Sequence, residues 1–222
     1  MEMTQKCSEI RKSIDKMAGR YSAPDIFRDI IDLAVMLIGG ITTANIGETG
    51  EDIFNRLTVR YSAEELRDMF KIIQDICSTV SKTKKDVLGR LYMNLRPNGA
   101  RGQFFTPDNV SEVMAKIAGS TENDTYSDPC CGSGSLILGV IRTLEQEGKS
   151  YQTPIFYLND VDLFCCKMIF VQMSAIGATA YITCSDALAN PPFRSNCDGM
   201  WLKTPMYYQR ETLAGLFNEQ AS

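Results

Sequence analysis

The sequence DPCCGSG at residues 128–134 lies between a short predicted strand, which ends at Asp128, and a predicted helix that ends at Gly148. The same alternation continues along the chain as strand, helix and strand, at residues 154–158, 163–176 and 180–184. Strands separated by helices of about a dozen residues predict a parallel sheet with right-handed crossovers. The expected fold class is therefore α/β.

The first hundred residues are predicted to be helical. Apolar residues recur at helical spacing from Cys7 to Met17, and Pro24 suits the first turn of a second helix. The clearest helix follows Ser62, because its hydroxyl and the carboxylate of Glu65 can form a capping box before a continuous apolar face. We expect that face to be core, with a partner-binding groove as the alternative.

A polar loop, PNG at residues 97–99, ends a further predicted helix over residues 84–95. The loop marks the expected boundary between an all-helical N-terminal domain, residues 1–99, and a second domain, residues 100–222. Thr106 and the proline after it predict the cap and first turn of the next helix. Four apolar residues form the predicted inward face of this helix: Val110, Val113, Met114 and Ile117.

Composition excludes several kinds of chemistry. The chain has no histidine, so Ser-His-Asp, Cys-His and His-metal mechanisms are ruled out. Its eight cysteines include two vicinal pairs and no CxxC, so neither a zinc site nor a disulfide framework is expected. The longest apolar run, residues 33–38, is far shorter than the roughly 20 residues that cross a bilayer. We expect a cytoplasmic protein with no metal and no membrane partner.

Charge gives a weaker signal. The net charge of −4 argues against non-specific coating of nucleic acid. Between residues 82 and 101, however, six basic residues accompany a single acid, Asp86. A solvated helix face and a phosphate-facing patch are both compatible with this cluster.

Acidic side chains follow all three predicted strands: Asp128 the first, Asp160 and Asp162 the second, and Asp186 the third. Ligands of parallel sheets bind beyond the carboxyl ends of the strands, and the acid after the second strand is the position that takes ribose hydroxyls. Glycines after the first strand allow close approach of the backbone and expose helix N-terminal amides. The pattern predicts a pocket for an adenosine-bearing ligand.

The predicted ligand is neither a dinucleotide nor ATP. The phosphate-binding patterns GxGxxG and GxxxxGK[ST] are absent. A carboxylate at Asp128 would repel phosphate and favour a cationic amino group. S-adenosylmethionine fits, because it carries an ammonium, a sulfonium, a ribose and an adenine.

Four segments in this order carry a family resemblance: GQFFTP at 102–107, DPCCGSG at 128–134, NDVD at 159–162 and SDAL at 185–188. The chain resembles the modification subunit of type I restriction-modification systems and related N6-adenine DNA methylases. The resemblance covers about residues 84–193. It implies a partial Rossmann-like methyltransferase sheet, S-adenosylmethionine as cofactor and methylation of adenine N6 in DNA. The implied partners are adenine-containing DNA and either a specificity subunit or a second copy of the chain.

The resemblance also implies roles for individual residues. Five of them would lie at the methionine end of the cofactor: Phe105, Thr106, Asp128, Gly132 and Gly134. Asp160 would take the ribose hydroxyls, and Asp186 the adenine amino group. The structural alternatives are that Thr106 and Asp162 only cap helices and that Phe105 is only core.

The family's catalytic motif, Asn/Asp-Pro-Pro-aromatic, matches Asn190, Pro191, Pro192 and Phe193. In this motif the asparagine oxygen and a prolyl carbonyl accept hydrogen bonds from the adenine amine, and the aromatic ring stacks on a flipped base. The family places the motif after a fourth strand, which is reached through a helix. Here only residues 187–189 separate Asp186 from the motif, too few for a crossover.

Two interpretations of this short spacing remain open. Either residues 182–188 form the strand that bears the motif and the third strand is missing, or the motif is a proline turn, which we favour. The methyltransferase domain is expected to be incomplete at its C-terminus, in a natural short relative or a fragment. The alternative function is a catalytically inactive, S-adenosylmethionine-binding module that regulates or binds a partner. Methyl transfer to a protein or small molecule is a weaker third hypothesis.

Overall fold

The computed structural model describes residues 2–39, 44–95, 106–119, 125–189 and 199–219. Within these ranges the helices are α1 (Glu2–Met17), α2 (Ala23–Gly39), α3 (Gly50–Arg60), α4 (Ala63–Thr83), α5 (Val87–Leu95), α6 (Asp108–Ala118), α7 (Ser135–Gln146), α8 (Leu163–Ala175) and α9 (Pro205–Glu219). The strands are β1 (Ala44–Asn45), β2 (Thr125–Asp128), β3 (Ile155–Asp160), β4 (Thr179–Cys184) and β5 (Met200–Lys203).

The strands form one sheet in the order β1-β5-β4-β3-β2. Strands β2, β3 and β4 are parallel, with Asp128 beside Leu158 and Asp160 beside Cys184. The α/β class and the three predicted strands are confirmed. Strand β5 runs antiparallel to β4, and β1 runs antiparallel to β5. Strand β1 lies in the N-terminal segment, so the described part of that segment is not all-helical as expected: it contributes two residues to the sheet.

Helix α8 lies at the centre of the molecule. Every residue from Phe164 to Met173 is buried, since the sheet covers one side of the helix and α2, α4 and α5 cover the other. Phe164 forms ring contacts with Phe27 of α2 and Tyr92 of α5, with centroids 5.9 and 5.6 Å apart. The N-terminal helices and the sheet therefore share one core. The predicted domain boundary at residues 97–99 lies outside the described residues and stays a prediction.

The predicted helices of the N-terminal segment are confirmed. Helix α4 begins with the expected capping box, in which the Glu65 N–H donates to the Ser62 hydroxyl at 3.2 Å and the Ser62 N–H donates to the Glu65 carboxylate at 2.7 Å. Helix α3 was not predicted, and Thr49 and Asp52 form a second capping box at its start. Among the described residues, no helix has the length and apolarity that crossing a membrane requires.

Helix α6 packs through its small residues, which contradicts the predicted inward face. Ser111 and Ala115 are fully buried, and a Cβ atom on Gly139 of α7 would lie 2.8 Å from the Ser111 carbonyl oxygen. The four residues expected to point inward are instead exposed: Val110, Val113, Met114 and Ile117. The prediction was wrong because helical spacing identifies an apolar stripe without showing which stripe meets the neighbouring helix.

Candidate cofactor-binding site

The glycine loop, residues 129–134, connects β2 to α7 and requires glycine at its end. Gly134 has φ +97°, and a Cβ atom there would lie 1.8 Å from Cδ1 of the buried Ile169. The loop is also bonded to β3, because the Cys131 N–H donates to the Asn159 carbonyl at 2.8 Å. The loop backbone is thus held against both α8 and β3.

The carboxylate of Asp160 connects the glycine loop to the turn after β3. Its Oδ2 accepts the Gly132 N–H at 2.8 Å, and its Oδ1 accepts the Asp162 N–H at 2.9 Å. Each carboxylate oxygen has a second lone pair for a ligand hydroxyl. Asp162 itself caps α8 through the Phe164 N–H at 2.9 Å, which agrees with the structural alternative for this residue.

Asp128 ends β2 at the base of the same loop. Its Oδ1 accepts the Cys130 N–H at 3.0 Å, and its other oxygen has no hydrogen-bond partner in the described part of the chain. Burial raises the pKa of Asp128, the Cys130 N–H opposes this, and the nearby Asp160 carboxylate adds to the rise. A cation placed at the loop would therefore be stabilised by two neighbouring carboxylates.

Asp186 differs from the other two acids. It is exposed, and its Oδ1 accepts the N–H groups of Leu188 and Ala189 at 2.9 and 3.3 Å. These bonds stay within its own loop. The Asp186 side chain is therefore free to meet a ligand at the surface but is not bonded to the other two strand ends.

Asn159 joins the three strand ends, a role that our sequence analysis missed. Its Nδ2 donates to the carbonyls of Pro129 and Ser185 at 3.0 and 2.9 Å. Its Oδ1 accepts the hydroxyls of Thr183 and Ser185, both at 2.8 Å. The side chain is fully buried, so these four bonds satisfy it completely. An amide directly after the run IFYL, near the end of the strand, is the signal that could have revealed this role.

Residues 83–210 match the model of the N-6 DNA Methylase family. The chain belongs to this family. It is 28% identical over 170 residues to the type I restriction enzyme MpnII methylase subunit of Mycoplasma pneumoniae, covering 62% of this chain and 31% of that protein. It is 30% identical over 125 residues to the type I restriction enzyme MjaVIII methylase subunit of Methanocaldococcus jannaschii, covering 52% and 21%. The chain thus spans between a fifth and a third of these relatives.

A solved structure agrees with the fold of this N-6 DNA methylase family member. It is a protein from Listeria monocytogenes described as a class I S-adenosylmethionine-dependent methyltransferase. The TM-score is 0.57 at 16% sequence identity, over 85% of this chain and 55% of that one. At this identity the likeness concerns the fold alone, and it supports a Rossmann-like methyltransferase sheet.

Part of the family's GQFFTP segment is brought to the glycine loop. The backbone carbonyl of Thr106 accepts the hydroxyl of Ser135, the first residue of α7, at 2.7 Å. Pro107 occupies the N-cap position of α6 and no side chain caps this helix, so the suggestion that Thr106 is the cap is wrong. Phe105 lies outside the described residues, and its role stays a prediction.

The family's catalytic motif also lies outside the described residues, and its role stays a prediction. The strand before it is β4, which pairs with β3 and so takes the third position of the sheet. The interpretation in which the third strand is missing is therefore wrong. After the motif the chain returns beside the same strand, with Met200 paired antiparallel to Cys184.

The predicted basic cluster is partly neutralised. The Lys84 ammonium lies 3.2 Å from the Glu145 carboxylate, and its side chain is only 12% exposed. Arg90 lies 3.3 Å from the Asp108 carboxylate. These ion pairs favour a structural role for both residues over contact with phosphate.

Proposed function

We propose that this chain binds S-adenosylmethionine and acts in the methylation of adenine N6 in DNA, as a methylase subunit of a restriction-modification system. One observation carries the proposal: the Asp160 carboxylate after β3 meets the Gly132 N–H of the glycine loop at 2.8 Å. This contact brings the predicted ribose-binding acid to the loop expected to hold the methionine end of the cofactor. Membership of the N-6 DNA methylase family supports the same function.

The side chains at the strand ends fit the groups of this cofactor. Asp160 can accept the ribose hydroxyls, and the unbonded oxygen of Asp128 suits the ammonium group. Val161 and Leu188, which are 71% and 97% exposed, offer apolar surface for an adenine ring. Asp186 beside them can accept a bond from the adenine amino group. When bound, the cofactor supplies an electrophilic methyl group.

The methylation step would depend on the family's catalytic motif. The side-chain oxygen of Asn190 and a carbonyl of Pro191 or Pro192 would accept the two N–H bonds of the adenine amine and direct its lone pair. Phe193 would stack on the base after it leaves the duplex. Because positioning supplies most of the rate, this chemistry suits a chain that has no histidine.

DNA sequence recognition is assigned to a partner, either a specificity subunit or a second copy of this chain, in the cytoplasm. Pairing of Lys84 and Arg90 with carboxylates leaves fewer cations for phosphate in the predicted basic cluster. The type I methylase subunits that resemble this chain are consistent with such an assembly.

A second candidate function is a catalytically inactive module that binds the cofactor. The antiparallel pairing of Cys184 with Met200 favours it, since the motif follows the third strand of the sheet and precedes an antiparallel one. The family places its motif after a fourth strand. The distance between the motif and the glycine loop decides between the two functions.

One experiment separates the candidates. The wild-type chain and Asn190→Ala are incubated with methyl-labelled S-adenosylmethionine and adenine-containing DNA, and calorimetry measures cofactor binding by both. DNA that is labelled by the wild-type chain but not by Asn190→Ala would support the methyltransferase. Cofactor binding without label in either case would favour the inactive module. Absence of cofactor binding would overturn the proposal.

A further inference from the structure

Asp86 is a buried carboxylate with no cationic partner among the described residues. The residue is 6% exposed, and no described Lys or Arg forms an ion pair with it. Its Oδ1 accepts the Gly89 N–H at 2.8 Å and the Gln172 amide at 3.0 Å, and its Oδ2 accepts the Ser133 hydroxyl. Burying a charge among neutral donors is costly, so this arrangement calls for a physical reason.

These bonds connect the N-terminal segment to the glycine loop. Asp86 precedes α5, Gln172 lies on α8, and Ser133 lies in the loop. The Gln172 amide also donates to the Ser133 carbonyl at 2.7 Å, and its oxygen accepts the Val87 N–H at 3.0 Å. Ser133 is therefore held through both its side chain and its backbone.

The contact between α5 and the glycine loop leaves no room for a side chain at residue 89. A Cβ on Gly89 would lie 2.2 Å from the Asp86 Oδ2 and 2.3 Å from the Ser133 hydroxyl oxygen. Helix α5 can approach the glycine loop this closely only because residue 89 is glycine. The carboxylate thus lies directly under the loop to which we assign the methionine end of the cofactor.

A second buried acid shows how this protein stabilises such a charge elsewhere. Asp29 is 4% exposed, and its carboxylate lies 2.9 Å from Arg56 and 3.2 Å from Arg60. It also accepts the Tyr61 hydroxyl at 2.7 Å. Both cations are already in place around Asp29, whereas no Lys or Arg in the described ranges pairs with Asp86.

An asparagine at position 86 could bond to the same three partners without a buried charge, with the bond to Ser133 reversed. Its oxygen would accept from Gly89 and Gln172, and its amide would donate to the Ser133 hydroxyl, which can rotate to accept. Hydrogen bonding alone therefore does not explain a carboxylate here. Burial raises the pKa of Asp86, and the hydrogen bonds from Ser133, Gln172 and Gly89 oppose this rise by stabilising the carboxylate form.

We infer that Asp86 is a positioning residue that holds Ser133 and places a negative charge under the glycine loop, so that the site prefers cationic S-adenosylmethionine over neutral S-adenosylhomocysteine. This inference rests on the proposed function. The sulfonium charge is present before methyl transfer and absent afterwards. Asp86 would thus favour binding of the methyl donor and release of the product.

Calorimetry with both ligands tests the inference on the wild-type chain and three variants. Asp86→Asn keeps the shape of the side chain, and Asp86→Ser, should the first variant fail to fold, keeps an oxygen that can accept the Gly89 N–H at the start of α5, as Asp86 does. Asp29→Asn is the control, because it neutralises another buried acid, whose bonds within the described residues go to Arg56, Arg60 and Tyr61 and not to the glycine loop. We expect the neutral residue-86 variants to lose S-adenosylmethionine affinity about tenfold more than S-adenosylhomocysteine affinity, with the ratio unchanged in the control.

The outcomes separate this inference from the proposed function. Wild-type protein that binds neither ligand would overturn both. Wild-type protein that binds S-adenosylmethionine, with residue-86 variants that lose the two ligands equally, would overturn the inference alone and leave Asp86 a structural residue. An equal shift in the ratio of the two ligand affinities in Asp29→Asn would also count against the inference about Asp86.

Discussion

The loops after β2 and β4 both carry an aspartate at the same edge of the sheet, yet they differ in how they are held. The glycine loop after β2 is bonded to Asn159 and Asp160 of β3 and to Asp86, which precedes α5. The loop after β4 is also bonded to Asn159, through Ser185, but among the described residues the carboxylate of Asp186 is bonded only within its own loop. A preformed loop suits the charged, flexible end of a ligand, because the loop loses little freedom on binding. An exposed acid suits a contact that forms after the rest of the ligand is bound.

The largest effect is expected from the tightest point of the glycine loop. Gly134→Ala should lower the free energy of unfolding by about 3 kcal/mol, because the new methyl group overlaps Ile169 and the backbone is left-handed. Urea denaturation measures the change. Gly148→Ala is the matched control, since Gly148 has φ +70° but no atom within 4 Å of its Cβ position. Equal losses in both variants would show that the loop is not tightly packed.

The next effect concerns the bonds that join the loops. Asn159→Ala should cost about 2 kcal/mol of stability, because it removes four hydrogen bonds, one of them accepted from the buried Thr183 hydroxyl. Thr183→Val removes only one of these bonds and should cost less than half as much. Thermal unfolding of the two variants provides the comparison. A smaller loss of stability in Asn159→Ala than in Thr183→Val would contradict the role of Asn159 in joining the strand ends.

Asp160→Ala should weaken S-adenosylmethionine binding by about tenfold to a hundredfold, because it removes charge-assisted hydrogen bonds and releases the Gly132 N–H. Calorimetry at constant ionic strength measures the dissociation constant. Asp162→Ala is the control, since that side chain caps α8 and lies at the same turn. The interpretation fails if Asp162→Ala weakens binding as much as Asp160→Ala does.

The smallest effect is expected at the exposed loop. Asp186→Ala should weaken cofactor binding by only about threefold, the value of one solvent-exposed hydrogen bond. Its melting temperature should match that of the wild type, since its bonds stay within the loop. Competition with adenosine would show whether the loss concerns the adenine end. An effect of Asp186→Ala as large as that of Asp160→Ala would erase the contrast between the two loops.

Sequence patterns predicted the positions of helices and strands better than they predicted which elements pack or pair together. The strands ending at Asp128 and Cys184 and the capping box at Ser62 were correct because each depends on residues close together in the chain. The face of α6 was wrong, since Ser111 meets α7 and the larger Val113 does not. Strand β5 was missed, and one of its two partners, β1, lies in the N-terminal segment, which no local pattern links to it.

The sequence by itself determined that three acids follow three parallel strands and that a glycine loop follows the first, because strand ends and turns are local properties. Only the tertiary structure decided that these acids are unequal, and that Asp86 and Asn159 belong beside them. Hydrogen bonds between Asp86 and Ser133, or between Asn159 and Ser185, join residues that are 47 and 26 positions apart. Such partners are chosen by the packing of α5, α8 and the sheet around one core, which no short pattern of residues encodes.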